Sequence, residues 1–181
     1  MRMSNMKNLI YLLCFCPLLC ILSCRSIPPG VQVVRPFDAD RYLGTWFEVA
    51  RMDFFFERGL NNTTATYTRN PDGSIKVVNR GYNPQKDRWK TAEGRAVFVD
   101  SPNEGRLKVS FFGPFYGGYN IIALDDDYQY AMVAGNDTDN LWILSRSPSI
   151  PSDVRDRYLA IARQAGFAVN ELLWIEHDKS S

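Results

Sequence analysis

The sequence predicts an all-β fold: short antiparallel strands in a meander, then one α-helix and a short final strand. Three observations carry that expectation. Runs rich in Val, Ile, Thr, Tyr and Phe follow one another at near-regular spacing, each closed by Gly, Pro, Asn or Asp, which is the pattern of strands joined by turns. Residues 152–166 change to helical spacing, and a last apolar run at 172–175 follows. An eight-strand meander of this kind suits an up-and-down barrel or a sandwich.

The elements can be taken in order. Residues 46–52 form the first run. Residues 63–68 lead to Asn70, Pro71, Asp72 and Gly73, a hairpin signal because each type tolerates or presets turn geometry. Residues 74–82 end at Asn83 and Pro84, and residues 91–99 at Ser101, Pro102 and Asn103. Residues 106–112 precede a Gly- and aromatic-rich loop at 113–118. Residues 119–124 then run into Asp125, Asp126 and Asp127. Residues 128–134 stop at Gly135, Asn136 and Asp137, and residues 141–145 stop near Pro148. In the helix, Val154, Tyr158, Ile161, Ala162 and Ala165 share one face, opposite Arg155, Asp156, Arg157, Arg163 and Gln164. Ser152 is the expected N-cap and Gly166 the expected stop.

A chain of 181 residues with 45% hydrophobic content suits one domain with its own core. A formal charge of +1, with no Lys or Arg run, argues against a general nucleic-acid binder, which needs a concentrated basic surface. The first residues are different in kind. Arg2 and Lys7 precede an apolar stretch from 9 to 22 that meets Ser23 and Cys24, the layout of a secretory signal. The stretch falls short of the ~20 residues a membrane-spanning helix needs, and Pro17 interrupts it. All the cysteines (Cys14, Cys16, Cys20 and Cys24) lie in this leader.

The segment Ile21-Leu22-Ser23-Cys24 resembles the lipobox of bacterial lipoproteins, which implies cleavage before Cys24 and acylation of its thiol. The alternative is an ordinary secretory signal whose cysteines are apolar filler. Residues 1–23 are thus read as the signal peptide, 24–36 as lipidated N-terminus and tether, and 37–181 as the folded domain. Cleavage turns the formal charge from +1 to −1 by removing Arg2 and Lys7. In lipoproteins an Asp after the cysteine retains the protein in the inner membrane. Arg25 stands there instead, which points to the outer membrane, facing the periplasm, for a Gram-negative source.

Three motifs stand in order along the folded part. Gly44-Thr45-Trp46 opens the first strand, Asp127-Tyr128 turns between two late strands, and Arg146 closes the last main strand. Residues 37–176 thereby resemble the lipocalin family, and residues 109–120 resemble its bacterial outer-membrane lipoprotein subgroup. Asp126 departs from the Thr usual before Asp-Tyr. The resemblance selects the barrel: an eight-stranded antiparallel up-and-down lipocalin barrel. It also implies that Trp46 lies across the closed end with Arg146 packed on its face, a cation–π contact of ~0.5–2 kcal/mol. Gly44, Trp46, Asp127, Tyr128 and Arg146 are then structural residues that bind no ligand.

A barrel of this size either fills itself or holds one small ligand. Strand alternation and the resemblance offer Asn79, Phe98, Val109, Phe111, Tyr119 and Trp142 as lining residues, with Tyr116 from the Gly-rich loop. Core packing is the alternative for each. Phe54, Phe55 and Phe56 stand together in one loop; they line the mouth, touch a membrane or partner, or fold back as a lid. That Gly-rich loop lacks the Lys and Ser/Thr of a phosphate loop.

Catalytic chemistry is sparse. The only histidine, His177, is expected solvated in the tail, so neither a triad nor a His-based metal or haem site is supported. Asp125, Asp126 and Asp127 are read as a turn rather than a calcium site. The expected function is non-catalytic carriage of a fatty acid or lysophospholipid, without cofactor or metal, at the envelope. Arg51 or Arg58 would meet a ligand phosphate. One rival is an enzyme acting on a lipid or isoprenoid through a buried acid such as Glu48. Another is a filled barrel working through Phe54, Phe55 and Phe56. The sequence leaves open whether the protein is a monomer or a homodimer.

Overall fold

A computed structural model describes residues 27–179; the leader and Cys24 lie outside them. The strands are β1 (Gly44–Arg51), β2 (Asn61–Arg69), β3 (Ile75–Asn83), β4 (Arg88–Phe98), β5 (Arg106–Phe112), β6 (Phe115–Leu124), β7 (Tyr130–Ala134), β8 (Leu141–Ser145) and β9 (Leu173–Trp174). Helix α1 (Ala39–Tyr42) precedes β1, and α2 (Ser152–Gln164) follows β8. Strands β1 to β8 pair antiparallel in chain order, and β1 pairs with both β2 (Trp46↔Ala65) and β8 (Glu48↔Leu144). That double pairing closes the sheet, so the meander is a barrel and not a sandwich.

Residue choice follows from what each strand faces. β7 and β8 are covered twice. Leu144 and Val133 join the cluster around Trp46, while Met132, Leu141 and Ile143 pack under Val154, Tyr158 and Ala162 of α2. Hence Ala131, Met132, Val133 and Ala134 are all apolar and all buried. The Tyr158 hydroxyl donates to the Tyr130 carbonyl at 2.8 Å and fixes α2 on that wall. β4, with no helix over it, turns Ala92, Gly94, Ala96 and Phe98 to the interior and Thr91, Glu93 and Arg95 to the outside.

Several boundaries differ from the expectation. The Gly- and aromatic-rich segment is mostly strand: β6 begins at Phe115, leaving residues 113–114 as the turn. Ser152 is inside α2, whose N-cap is Pro151 with no side-chain cap bond; the ring's fixed φ supplies the entry instead. Gly166, at φ +86°, ends the helix as expected. From Pro28 onward the segment read as a tether lies against the barrel. Pro28 is buried, Val31 and Val34 pack on the core clusters, and Val34 N–H donates to the Ile121 carbonyl at 2.9 Å.

The C-terminal residues close a seam. β1 pairs with β2 only through residues 44–47, beyond which β2 bulges at Asn62, held at φ 52°. Into that gap comes β9, with Trp174 opposite Ala50, and Ile175 N–H donates to the Val49 carbonyl at 3.0 Å. Asn62 N–H then donates to the Glu176 carbonyl at 2.8 Å. His177 is not a free tail residue: its Nε2 lies 2.9 Å from the Glu48 carbonyl, and its ring stands edge-on to Phe47.

Candidate ligand site: the barrel interior and its mouth

At one end α1 and Trp46 form the floor. Trp46 is fully buried, its Nε1 donates to the Tyr42 carbonyl at 2.8 Å, and the Arg146 guanidinium stands 3.9 Å over its ring. Arg146 donates to the carbonyls of Thr45 at 2.9 Å, Arg41 at 3.0 Å and Leu43 at 2.9 Å. One cation thereby gathers the carbonyls at the end of α1 and the start of β1, where helix ends leave acceptors free. Gly44 sits at φ +93°, and a Cβ there would meet Arg146 Nη1 at 3.3 Å, so both backbone and space call for glycine. Tyr128, of the second motif, stands at φ 57°, accepts from Asp38 N–H and carries Arg41 4.1 Å over its ring. The Asp125 carboxylate accepts the N–H groups of Asp127, Gln129 and Tyr130 and serves the turn itself.

Above the floor three tyrosines join hands. The Tyr119 hydroxyl lies 2.7 Å from those of both Tyr42 and Tyr67, and burial pushes all three well above the ordinary phenol range. Beside them, Phe37, Ile75, Ala96 and Leu107 enclose a void of about 10 Å³, room for at most one water. A concavity of about 790 Å³ lies outside the barrel below the floor, bordered by Arg35, Asp38, Asp40, Arg41 and Arg69. Arg69 there pairs with Asp40 at 2.8 Å, and Arg41 donates to the Asp126 carbonyl at 2.6 Å. Its charged border is unsuited to an aliphatic chain.

The loops 52–60, 84–87, 113–114 and 135–140 leave the barrel at its other end, and the first of them forms a lid. Phe54 turns inward and meets Trp142 edge-on at 5.5 Å. The Trp142 Nε1 donates to Glu57 Oε2 at 2.9 Å. Arg51, 1% exposed, reaches up from β1 and donates to the Glu57 carbonyl at 2.8 Å and the Leu60 carbonyl at 3.1 Å. Its other amine pairs with Glu48 Oε1 at 2.6 Å, and Thr63 donates to the same oxygen at 3.0 Å.

Two carboxyls thus face one guanidinium, Glu48 paired with it directly and Glu57 acting on it through space. Burial first, and then the facing Glu57, raise Glu48 from 4.5 to about 8 against the pull of Arg51; burial likewise raises Glu57. One proton held between the pair leaves the cluster neutral, which is what a low-dielectric site favours. The unfolded chain releases this proton near 4.5 and the folded chain near 8, so the folded state holds the extra proton between. Stability is therefore expected to fall as pH rises through that window. Thermal unfolding across it should show the decline, and Glu48→Gln should flatten it; an unchanged slope would remove the shared proton from the account.

The sequence-expected residues divide. Asn79, Phe98, Val109, Phe111, Tyr119 and Trp142 lie on inward positions, with five of them packed on the interior cluster. Tyr116 does not: it is 41% exposed on the outside, with the Lys108 amine 5.1 Å over its ring. Arg51 is no free phosphate ligand, since Glu48 and two carbonyls occupy it, and Arg58 is exposed and paired with Asp53 at 2.8 Å. Sequence reasoning missed Tyr42, Tyr67, Thr63 and Glu57. Thr63 and Tyr67 share the inward register of Ala65 in β2, a signal that alternation could have supplied; Glu57 lies in an aperiodic loop.

Closed barrel, Trp–Arg floor and flanking helix define the class. The chain belongs to the lipocalin family: the lipocalin-like domain matches residues 37–177. It is 54% identical to outer membrane lipoprotein Blc of Citrobacter freundii over 158 residues, 86% of this chain and 89% of the relative. It is 52% identical to that of Escherichia coli K12 over 162 residues, 88% and 92% of the two chains. Temperature-induced lipocalin-1 of Arabidopsis thaliana is 32% identical, with 78% of this chain and 80% of the relative covered. Among solved structures, insecticyanin of Manduca sexta superposes with a TM-score of 0.66 at 19% identity, covering 83% and 86% of the two chains. That last likeness concerns the fold alone.

Proposed function

We propose that this lipocalin is acylated on Cys24, sits at the outer membrane facing the periplasm, and carries a fatty acid or lysophospholipid in its barrel. The observation that carries the reading is a lidded, aromatic-lined interior closed below by Trp46 and Arg146. Kinship with outer membrane lipoproteins of two enterobacteria supports the location. Each methylene removed from water contributes ~0.8 kcal/mol, so an acyl chain is a sufficient driving force. With a void of about 10 Å³, loading requires residues 54–57 to swing out, breaking the Trp142–Glu57 bond and re-packing the lining rings.

Mass spectrometry of the protein purified from its membrane tests anchor and cargo together. Acyl mass on Cys24 and a fatty acid or lysophospholipid released on denaturation are expected, as is quenching of tryptophan fluorescence by added lipid. An acylated chain that carries nothing and responds to no lipid would favour a filled barrel, the reading to which the small void lends weight. The raised Glu48 favours a lipid-directed enzyme, although Arg51 and Thr63 occupy one of its oxygens. Turnover of an added lipid ester, lost in Glu48→Gln, would establish that alternative.

A further inference from the structure

We propose that Arg51 and Trp142 receive the anionic headgroup of the bound lipid, in the place that Glu57 of the lid fills while the barrel is closed. The two side chains stand opposite each other on β1 and β8, where cross-strand partners share a face and their Cβ atoms lie ~4.5–5.5 Å apart. One lid residue, Glu57, serves both. Its backbone carbonyl accepts from Arg51 Nη2 at 2.8 Å, and its carboxyl oxygen accepts from Trp142 Nε1 at 2.9 Å. The lid thus sets one oxygen on each donor, as a headgroup with two oxygens would.

Arg51 also has a donor to spare. The residue is 1% exposed, yet its Nε–H has no acceptor among the described residues. A buried donor without a partner is uncommon and calls for an explanation. Nε and Nη2 lie side by side on the planar fork, the edge that takes a carboxylate or phosphate through two parallel bonds. Glu48 holds the guanidinium elsewhere, through Nη1 at 2.6 Å, so this edge is open to a second anion. An outward swing of residues 54–57 takes the Glu57 carbonyl off Nη2 and the Glu57 carboxyl off Trp142. Leu60, beyond the swing, keeps its carbonyl 3.1 Å from Nη2. The exchange conserves charge around Arg51: Glu57 carries one acidic group out to water, and the headgroup brings one in. The assignment deepens the carrier reading, on which it rests, by giving the cargo a single acyl chain that ends in a carboxylate or phosphate.

Acylated protein stripped of cargo and held in phosphatidylcholine nanodiscs, with empty nanodiscs as the blank, is titrated with decanoate and with methyl decanoate. The acid is expected to bind about tenfold more tightly, the size of one hydrogen bond to a charged group. Arg51→Lys keeps a counter-charge for Glu48 but loses the fork; it should bind the ester as the parent protein does and lose the preference for the acid. Decanoyl lysophosphatidylglycerol against monodecanoylglycerol repeats the comparison for a phosphate, and the larger of the two preferences names the headgroup. Equal binding of charged and uncharged partners in both pairs overturns the assignment and leaves the carrier reading standing. A preference that Arg51→Lys retains does the same. Binding of none of these ligands overturns both. Should the variant lose the ester as well, its barrel is damaged, and the Arg51 Nε–H resonance of the parent protein decides. Decanoate should move that resonance downfield where methyl decanoate does not; one position with both ligands overturns the assignment.

Discussion

Replacing Trp46 by alanine is expected to cost about 3–5 kcal/mol, the range for removing a fully buried large aromatic. The cost has three parts: the apolar ring, the bond from Nε1 to the Tyr42 carbonyl, and the face on which Arg146 rests. With the ring gone, Arg146 retains its carbonyl partners but loses the surface that orients it. Arg146→Lys should also destabilise, because an ammonium cannot reproduce the planar fork that reaches Thr45, Arg41 and Leu43 together. Denaturant unfolding of the two single variants and the double variant measures the coupling. Additive losses would mean that ring and cation act independently, and the floor would not be a unit.

Arg51→Met should be comparably severe at neutral pH, about 3–5 kcal/mol, because it strands buried carboxyls without a counter-charge. Glu48 is 5% exposed, and the carbonyls of Glu57 and Leu60 would lose a donor at the same stroke. The penalty has a pH signature. Protonating both carboxyls removes the stranded charge, so the difference from the parent protein should shrink as pH falls toward the ordinary carboxylate range. Adding Glu48→Gln to Arg51→Met should restore part of the loss. A cost independent of pH would assign Arg51 to packing through its stem instead.

The barrel was legible because its strands carry period-two alternation and its turns carry the residues that turns require. Where alternation failed, a second layer was the cause: β7 and β8 are apolar on both faces because α2 covers the outside. The floor was legible through Trp46 and Arg146, whose pairing the family resemblance implied and the 3.9 Å stacking bears out. The lid was not. Nothing in Phe54, Phe55 and Phe56 tells which ring turns inward, since the choice is made by Trp142, far away in sequence. The glycine-rich surroundings of Tyr116 read as a loop, from which its ring can face the cavity; as part of β6, its position on the pleat sends it outward. Glu57 carried no signal of burial, because its partners come from β1 and β8.

The seam beside β1 also bears on the order of folding. A chain made from its N-terminus produces β1 early, yet β1's neighbours include β8 and β9, among the last strands to emerge. Short hairpins such as β2–β3 can form locally, but the ring waits for contacts of high sequence separation, which slow folding. The final stitches, Glu176 to Asn62 and His177 to Glu48, follow β9 directly. Truncation before Glu176 would therefore leave an otherwise complete barrel with an unfastened edge.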